Sequence, residues 1–208
     1  MPRRAMPSPA EPCLPHHVTT VTATIRLDEM KAQLCASFHR ISDDIPTVFE
    51  RLGDRCVYQP KLDGMRALAA VDGRSVALRS RTGTDIGRVY PEVTAALAQM
   101  NIRAVLDGEL CHFGPDGRPL YTAMSYRNST RTASGIQRAA TSAPTSYIVF
   151  DLLALDGVDL RKRPLTKRLA ALEALGLSGT VQCCPTTEDG PSLWEQTERL
   201  GLEGVVAK

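Results

Sequence analysis

Lys61 stands in the stretch QPKLDGMRAL, with Pro60 before it, the turn signal Asp63-Gly64 after it and Arg66 five residues on. A lysine is a nucleophile only while its amine is unprotonated. Nearby cations and burial both favour that state, because both disfavour the ammonium form. Arg66 is the nearby cation, and the position between CVY and ALAAV, two strand-like runs, is expected to bury the lysine stem. Taken alone, the stretch reads as an exposed turn lysine. Four further stretches follow: SRTG at 80–83, LDGEL at 106–110, VFDLL at 149–153 and EGVVAK at 203–208. Each is bland by itself. Glu109 reads as a surface charge beside an Asp-Gly turn, and Phe150 as a core residue of an apolar strand.

Together and in this order, the five stretches resemble the motifs of the covalent nucleotidyltransferases, a superfamily of ATP-dependent DNA ligases, RNA ligases and mRNA capping enzymes. The local texture is most similar to the bacterial ATP-dependent DNA ligases, including those of double-strand-break repair. The resemblance covers residues 55–208. It implies an α+β, ATP-grasp-like nucleotidyltransferase domain with antiparallel sheets flanked by helices. It also implies that Lys61 attacks the α-phosphate of ATP, expels pyrophosphate and forms lysine-AMP. The AMP then passes to the 5′-phosphate of nicked or broken duplex DNA, in DNA repair and recombination. Arg66 and Arg81 match arginines near the nucleotide; guanidinium groups stay charged and reach phosphate oxygens with paired donors. Glu109 matches the glutamate that holds the ribose hydroxyls, and Phe150 the aromatic that stacks on adenine. Glu203 matches the carboxylate that places a divalent cation, Mg2+ or Mn2+, which would neutralise phosphate charge. Lys208 matches a lysine near the phosphates. Gln59 stands near the adenine where the family often has glutamate, and it keeps hydrogen-bonding capacity. Asp63 is expected to orient Lys61, and Gly64 to let the backbone bend. Arg127, in LYTAMSYR, fits the spacing FxxLxxR of a family helix; otherwise it is a helix-surface charge.

The elements that must position these groups are visible in the patterning. RCVYQP and RALAAV read as strands, and DGRS at 72–75 as a hairpin turn into VALRS. VYPEVTAALAQM puts Val89, Val93, Leu97 and Met100 on one helical face, with Pro91 in the first turn. AVLDGELCHF reads as a strand broken by Asp-Gly and followed by the turn GPDGRP. SYIVFDLLAL is a strand. LTKRLAALEALG is a helix stopped by Gly176. TVQCC is a short strand, PSLWEQTERLG a helix and GVVAK a final strand. Mixed hairpins and helices predict α+β rather than repeated βαβ units.

The chain has 208 residues, 43% hydrophobic, enough for one domain with a sizeable core. A net charge of +2 gives no general argument for nucleic acid, so any basic patch is local. No run of 18 apolar residues spans a membrane and no secretory segment is present, so the expected location is cytoplasmic. The six cysteines form no CxxC pair, and reduced thiols are expected. Residues 1–25, rich in proline, read as a disordered leader whose His16 and His17 are solvated; 26–54 read as helical, with Met30, Leu34 and Phe38 at spacing four. Cys183, Cys184 and Trp194 read as packing residues.

The sequence departs from the family pattern at its end. Residues 55–208 match the adenylation domain without its last lysine motif and without an OB-fold domain, so slow adenylation and weaker joining are expected. A separate polypeptide supplying the OB domain is a possible partner. The alternatives are an RNA ligase-like nucleotidyltransferase and a non-catalytic nucleotide- or DNA-binding remnant. NAD-dependent ligases are disfavoured because no cysteine-rich zinc segment is visible.

Overall fold

The structure, a computed structural model, describes residues 44–208. The leader, the histidine pair His16 and His17, Cys13, Cys35, and the helical reading of Met30, Leu34 and Phe38 lie outside the described residues.

The first helix, α1 (Ile45–Leu52), starts where Asp44 accepts a hydrogen bond from the Thr47 amide at 3.0 Å, and Pro46 fits the first turn, where its missing N–H costs nothing. It ends at Gly53, whose φ of 52° suits glycine. Strand β1 (Tyr58–Lys61) then runs antiparallel to β8 (Gly204–Ala207), the last element of the chain, as a two-stranded ladder.

The larger sheet is built mainly from hairpin-like antiparallel pairs. Strands β2 (Met65–Asp72) and β3 (Ser75–Ser80) are joined by the expected turn, with Gly73 at φ 61°. β4 (Arg103–Cys111) lies between β2 and β5 (Ser146–Leu155), β6 (Val158–Asp159) forms the far edge, and β7 (Val181–Cys183) pairs parallel to β5. Side chains alternate across the sheet. Ala67, Ala69, Leu106, Leu110, Val149 and Leu152 point to one face, where α2 (Pro91–Gln99) adds Val93 and Leu97 and α5 (Leu165–Glu173) adds Leu172. Leu97, Leu106, Leu110 and Leu152 are fully buried; truncating any one to alanine is expected to cost about 2–5 kcal/mol. Arg66, Asp107 and Phe150 gather on the opposite side, and that side carries the site.

The sequence pattern predicts a break at Asp107-Gly108, and the structure corrects this. β4 is continuous through both residues. Its partner β5 shifts register between Val105 and Leu106 and again between Asp107 and Gly108. A Cβ at Gly108 would lie 2.6 Å from the Ile148 carbonyl oxygen and 2.7 Å from the Tyr147 ring. The glycine therefore serves a close strand approach at an irregular register rather than a turn.

Helices α3 (Tyr121–Ser129) and α4 (Ala133–Ser142) follow β4, and α6 (Gly190–Leu200) packs beside β1 and β8 before Gly201 closes it at φ 62°. No helix among the described residues is long and apolar enough to cross a membrane. Cys56, Cys111, Cys183 and Cys184 are free, and burial pushes the Cys184 thiol up to about 12.

Candidate functional site

Lys61 is the last residue of β1 and pairs in register with Gly204, so Glu203 stands immediately beside it at the start of β8. The Lys61 ammonium and the Glu203 carboxylate form an ion pair, with side chains 43% and 46% exposed. This differs from the expectation that a cation and burial surround the lysine. Its stem is only partly covered, and its charged neighbour is an acid. Arg66 does not lean on Lys61; it is taken by Asp107. An ammonium held by a carboxylate has no lone pair to offer, so a nucleophilic role for Lys61 would require that it lose a proton and leave that pair.

The turn after Lys61 is tight for a packing reason. A Cβ at Gly64 would sit 2.3 Å from the Leu110 carbonyl oxygen and 2.9 Å from the Cys111 sulfur. Only glycine lets the loop lie against β4, which brings the Lys61 end of the small sheet onto the large one. Asp63 is exposed on the same loop.

The two sheets are also joined by Lys208. Its backbone exchanges hydrogen bonds with Val57, donating at 2.9 Å and accepting at 3.0 Å. Its ammonium donates to the Phe150 carbonyl at 3.3 Å and lies 4.4 Å from the centre of the Phe150 ring. The Arg66 guanidinium lies 5.2 Å from the same ring. Phe150 is half-buried beside Cys111, Ile148 and Cys184 and carries two cations against its π-system. It is therefore neither a plain core residue nor a bare stacking surface.

Arg66 faces Glu109 across the β2–β4 ladder and is clamped by Asp107. Its Nε donates to Oδ1 at 3.0 Å and its Nη2 to Oδ2 at 2.7 Å. Desolvation raises the Asp107 carboxyl above its ordinary range, opposed by the Arg66 hydrogen bond and charge. Desolvation also pushes Glu109 up to about 8, opposed by Arg66 and Lys61. Both acids lie in an apolar wall that favours the protonated form, and their cationic neighbours only oppose that tendency.

Gln59 is buried in β1 and its amide donates to the Thr186 hydroxyl at 2.9 Å. Arg81 stands on the exposed turn after β3, one residue beyond the Ala67–Ser80 pairing and so beside the Arg66 end of β2; it makes no ion pair or hydrogen bond among the described residues.

Arg127 is not a helix-surface charge. It is fully buried, ion-paired with Glu92 of α2, and donates to the Val89 carbonyl at 2.7 Å and the Ala143 carbonyl at 2.9 Å. Its guanidinium also lies 4.9 Å from the Tyr90 ring centre, and burial pushes the Tyr90 hydroxyl up to about 12. The structure thus brings together Lys61, Glu203, Lys208, Phe150, Arg66 and Glu109, with Gln59 and Gly64 at the margins, and sets Arg127 in a separate interior pair.

Among the described residues, no group of three or more His, Cys, Asp or Glu is placed to hold a metal ion. A lone carboxylate such as Glu203 suits Mg2+, which typically takes one or two carboxylates plus substrate phosphates and water.

The sequence missed Asp107, Asp151, Arg168 and Thr186 as neighbours of the site. Asp107 and Asp151 lie inside quoted stretches, yet their partners are 41 and 17 residues away.

A family model described as "ATP dependent DNA ligase domain" matches residues 30–208. DNA ligase C2 of Mycolicibacterium smegmatis is 39% identical over 157 residues, covering 73% of this chain and 44% of that protein. DNA ligase C of Mycobacterium tuberculosis is 35% identical over 161 residues, covering 73% and 44%. The solved ligase domain from M. tuberculosis LigD superposes with a TM-score of 0.60 at 30% identity, covering 74% of this chain and 48% of that one. A mycobacterial DNA ligase D complexed with ATP and MES gives 0.61 at 30% identity, with the same coverages of 74% and 48%. The chain spans less than half the length of each of these relatives.

Proposed function

The chain belongs to the ATP-dependent DNA ligase domain family, and from that premise we propose that it carries out lysine adenylation, with Lys61 as nucleophile. The Lys61 amine forms a bond to the α-phosphorus of ATP, the bond from that phosphorus to the bridging oxygen breaks, pyrophosphate leaves and the amine sheds a proton. AMP then passes from Lys61 to a DNA 5′-phosphate.

The observation that carries this reading is the meeting of Lys61, Glu203, Lys208, Phe150 and Arg66 at one junction between the two sheets. Phosphoryl transfer needs positioning and neutralisation of charge on the phosphate oxygens. Lys208 and Arg66 bring cations to the Phe150 ring, where an adenine would stack. Glu109, two residues beyond Asp107 on β4, would accept from ribose hydroxyls once its own proton is given up. Gln59 and Thr186 offer hydrogen-bonding groups for the base edge. Arg81, which makes no ion pair or hydrogen bond among the described residues, adds a third cation to the phosphates. A divalent cation at Glu203 would supply charge neutralisation at the phosphates and compete with Lys61 for the carboxylate. The ATP complex of a relative with 30% identity supports ATP as the nucleotide.

The setting that goes with this reading is cytoplasmic DNA repair and recombination on nicked or broken duplexes, with an OB-fold partner as one possible complement. The test is incubation with α-labelled ATP or GTP and Mg2+ or Mn2+, then denaturing gels. Label retained from ATP in excess of GTP is expected. Equal retention of both points to the wider nucleotidyltransferase superfamily. Transfer of AMP to nicked DNA rather than to nicked RNA separates a DNA ligase from an RNA ligase.

A further inference from the structure

Asp107 and Asp151 face each other directly across the β4–β5 ladder. Two like charges in this position repel, and Asp107 is only 5% exposed, so water screens it poorly. The pair is closed at both ends by arginine forks. On one side Arg66 grips Asp107. On the other, Arg168 of α5 donates from Nε to Asp151 Oδ1 and from Nη2 to Asp151 Oδ2, each at 2.8 Å. The result is a row of four charges, Arg66–Asp107–Asp151–Arg168, running from the proposed nucleotide pocket across β4 and β5 to α5. Arg168 is itself fixed, because its Nη1 donates to the Arg163 carbonyl at 2.7 Å.

The geometry points to Arg168 as a positioning residue for the nucleotide site: by neutralising Asp151, it leaves the Asp107 carboxylate committed to Arg66 and so sets the direction of the Arg66 guanidinium. This inference rests on the proposed role of the pocket in binding ATP. Without Arg168, Asp151 holds an uncompensated charge beside Asp107. The carboxylates then compete for Arg66, or one takes up a proton; in either case the fork on Arg66 loosens. The charges that face Asp107 support this coupling. Arg66 on β2 and Lys208 after β8 lower its pKa, and Asp151 on β5 raises it. Glu109 on β4 feels the Asp107 charge in turn.

Charge compensation separates this role from simple bracing of the Arg163 loop. Arg168→Gln is expected to weaken ATP binding about tenfold, within the range of directly coupled residues. Asp151→Asn combined with Arg168→Gln is expected to recover affinity to within about twofold of the parent chain, because the charge that Arg168 answers has gone. A brace through the Arg163 carbonyl predicts no recovery. ATP titration calorimetry on the 208-residue chain and the two variants reads this directly. Carboxyl-carbon NMR of Asp107 reads it without nucleotide: the titration midpoint rises in Arg168→Gln and returns in the double variant. If Arg168→Gln does not fold by circular dichroism, Arg168→Lys keeps the charge while losing the fork, and is expected to shift the midpoint in the same direction by less. An unmoved Asp107 midpoint, or no recovery in the double variant, overturns the inference. Failure of the parent chain to bind ATP overturns the functional reading instead, and the NMR result still decides the coupling.

Discussion

Lys61 and Glu203 are ion-paired across the β1–β8 ladder, with Glu203 one residue before Gly204, the register partner of Lys61. The proposed nucleophile and the carboxylate proposed to place a divalent cation therefore hold each other. Both side chains are nearly half exposed, so the pair contributes little to stability, in the range of about 0–1 kcal/mol for surface pairs. Glu203→Ala is expected to leave the melting temperature almost unchanged and to lower covalent labelling by ATP about 10²-fold, the scale for loss of one preorganised electrostatic contact. Thermal melts and labelling on the same preparation check both halves; a large stability loss would recast Glu203 as a structural anchor.

Glu109 gives a pH signature. Its carboxyl sits near 8 in the folded chain against an ordinary value of 4.5. Between those values the folded state binds more protons than the unfolded state, so this group makes stability fall as pH rises. Glu109→Gln removes the titration. The melting temperature of the variant relative to the parent is expected to climb from pH 5 to pH 8.5, while nucleotide affinity falls at every pH. A flat difference across that range would show that Glu109 is solvated like a surface acid.

Arg127 separates structure from site. Its pair with Glu92 is buried and also holds two backbone carbonyls. Removing one partner of such a pair is expected to cost about 3–5 kcal/mol, because the other charge stays buried. Arg127→Met should therefore lower the denaturation midpoint strongly. In the fraction that remains folded, ATP affinity should be unchanged; selective loss of affinity with normal stability would place Arg127 in the site after all.

Gly64 is a test of how the small sheet meets the large one. Gly64→Ala puts a methyl 2.3 Å from the Leu110 carbonyl oxygen, and a backbone atom cannot yield cheaply. Reduced stability and loss of ATP labelling are expected together, because the Lys61 loop must lift off β4. Labelling at the parental rate would mean that the loop position is irrelevant to the site.

How much of this was legible beforehand depended on whether the signal was local. The helix over Pro91–Gln99 follows from the spacing of Val93 and Leu97, and the Asp72–Ser75 turn from its own residues. The neighbourhood of Lys61, Glu203 and Phe150 came from a family resemblance, since nothing local ties residue 61 to residue 203. Asp107-Gly108 misled because Asp-Gly is a turn signal only when no second strand approaches; here Ile148 does. Arg127 carried the right helix, but its burial depends on Glu92, 35 residues away. Arg168 and Asp151 gave no sign at all, since a charged side chain is ordinarily solvated and their pairing joins helix α5 to strand β5.

The proposed function turns on whether Lys61 becomes covalently joined to AMP. The direct measurement is peptide mapping by mass spectrometry after incubation of the chain with ATP and Mg2+ or Mn2+, alongside Lys61→Ala. The AMP mass is expected on the peptide that contains Lys61, with no adenylated peptide in Lys61→Ala. AMP on another lysine, or undiminished adenylation of Lys61→Ala, would contradict it.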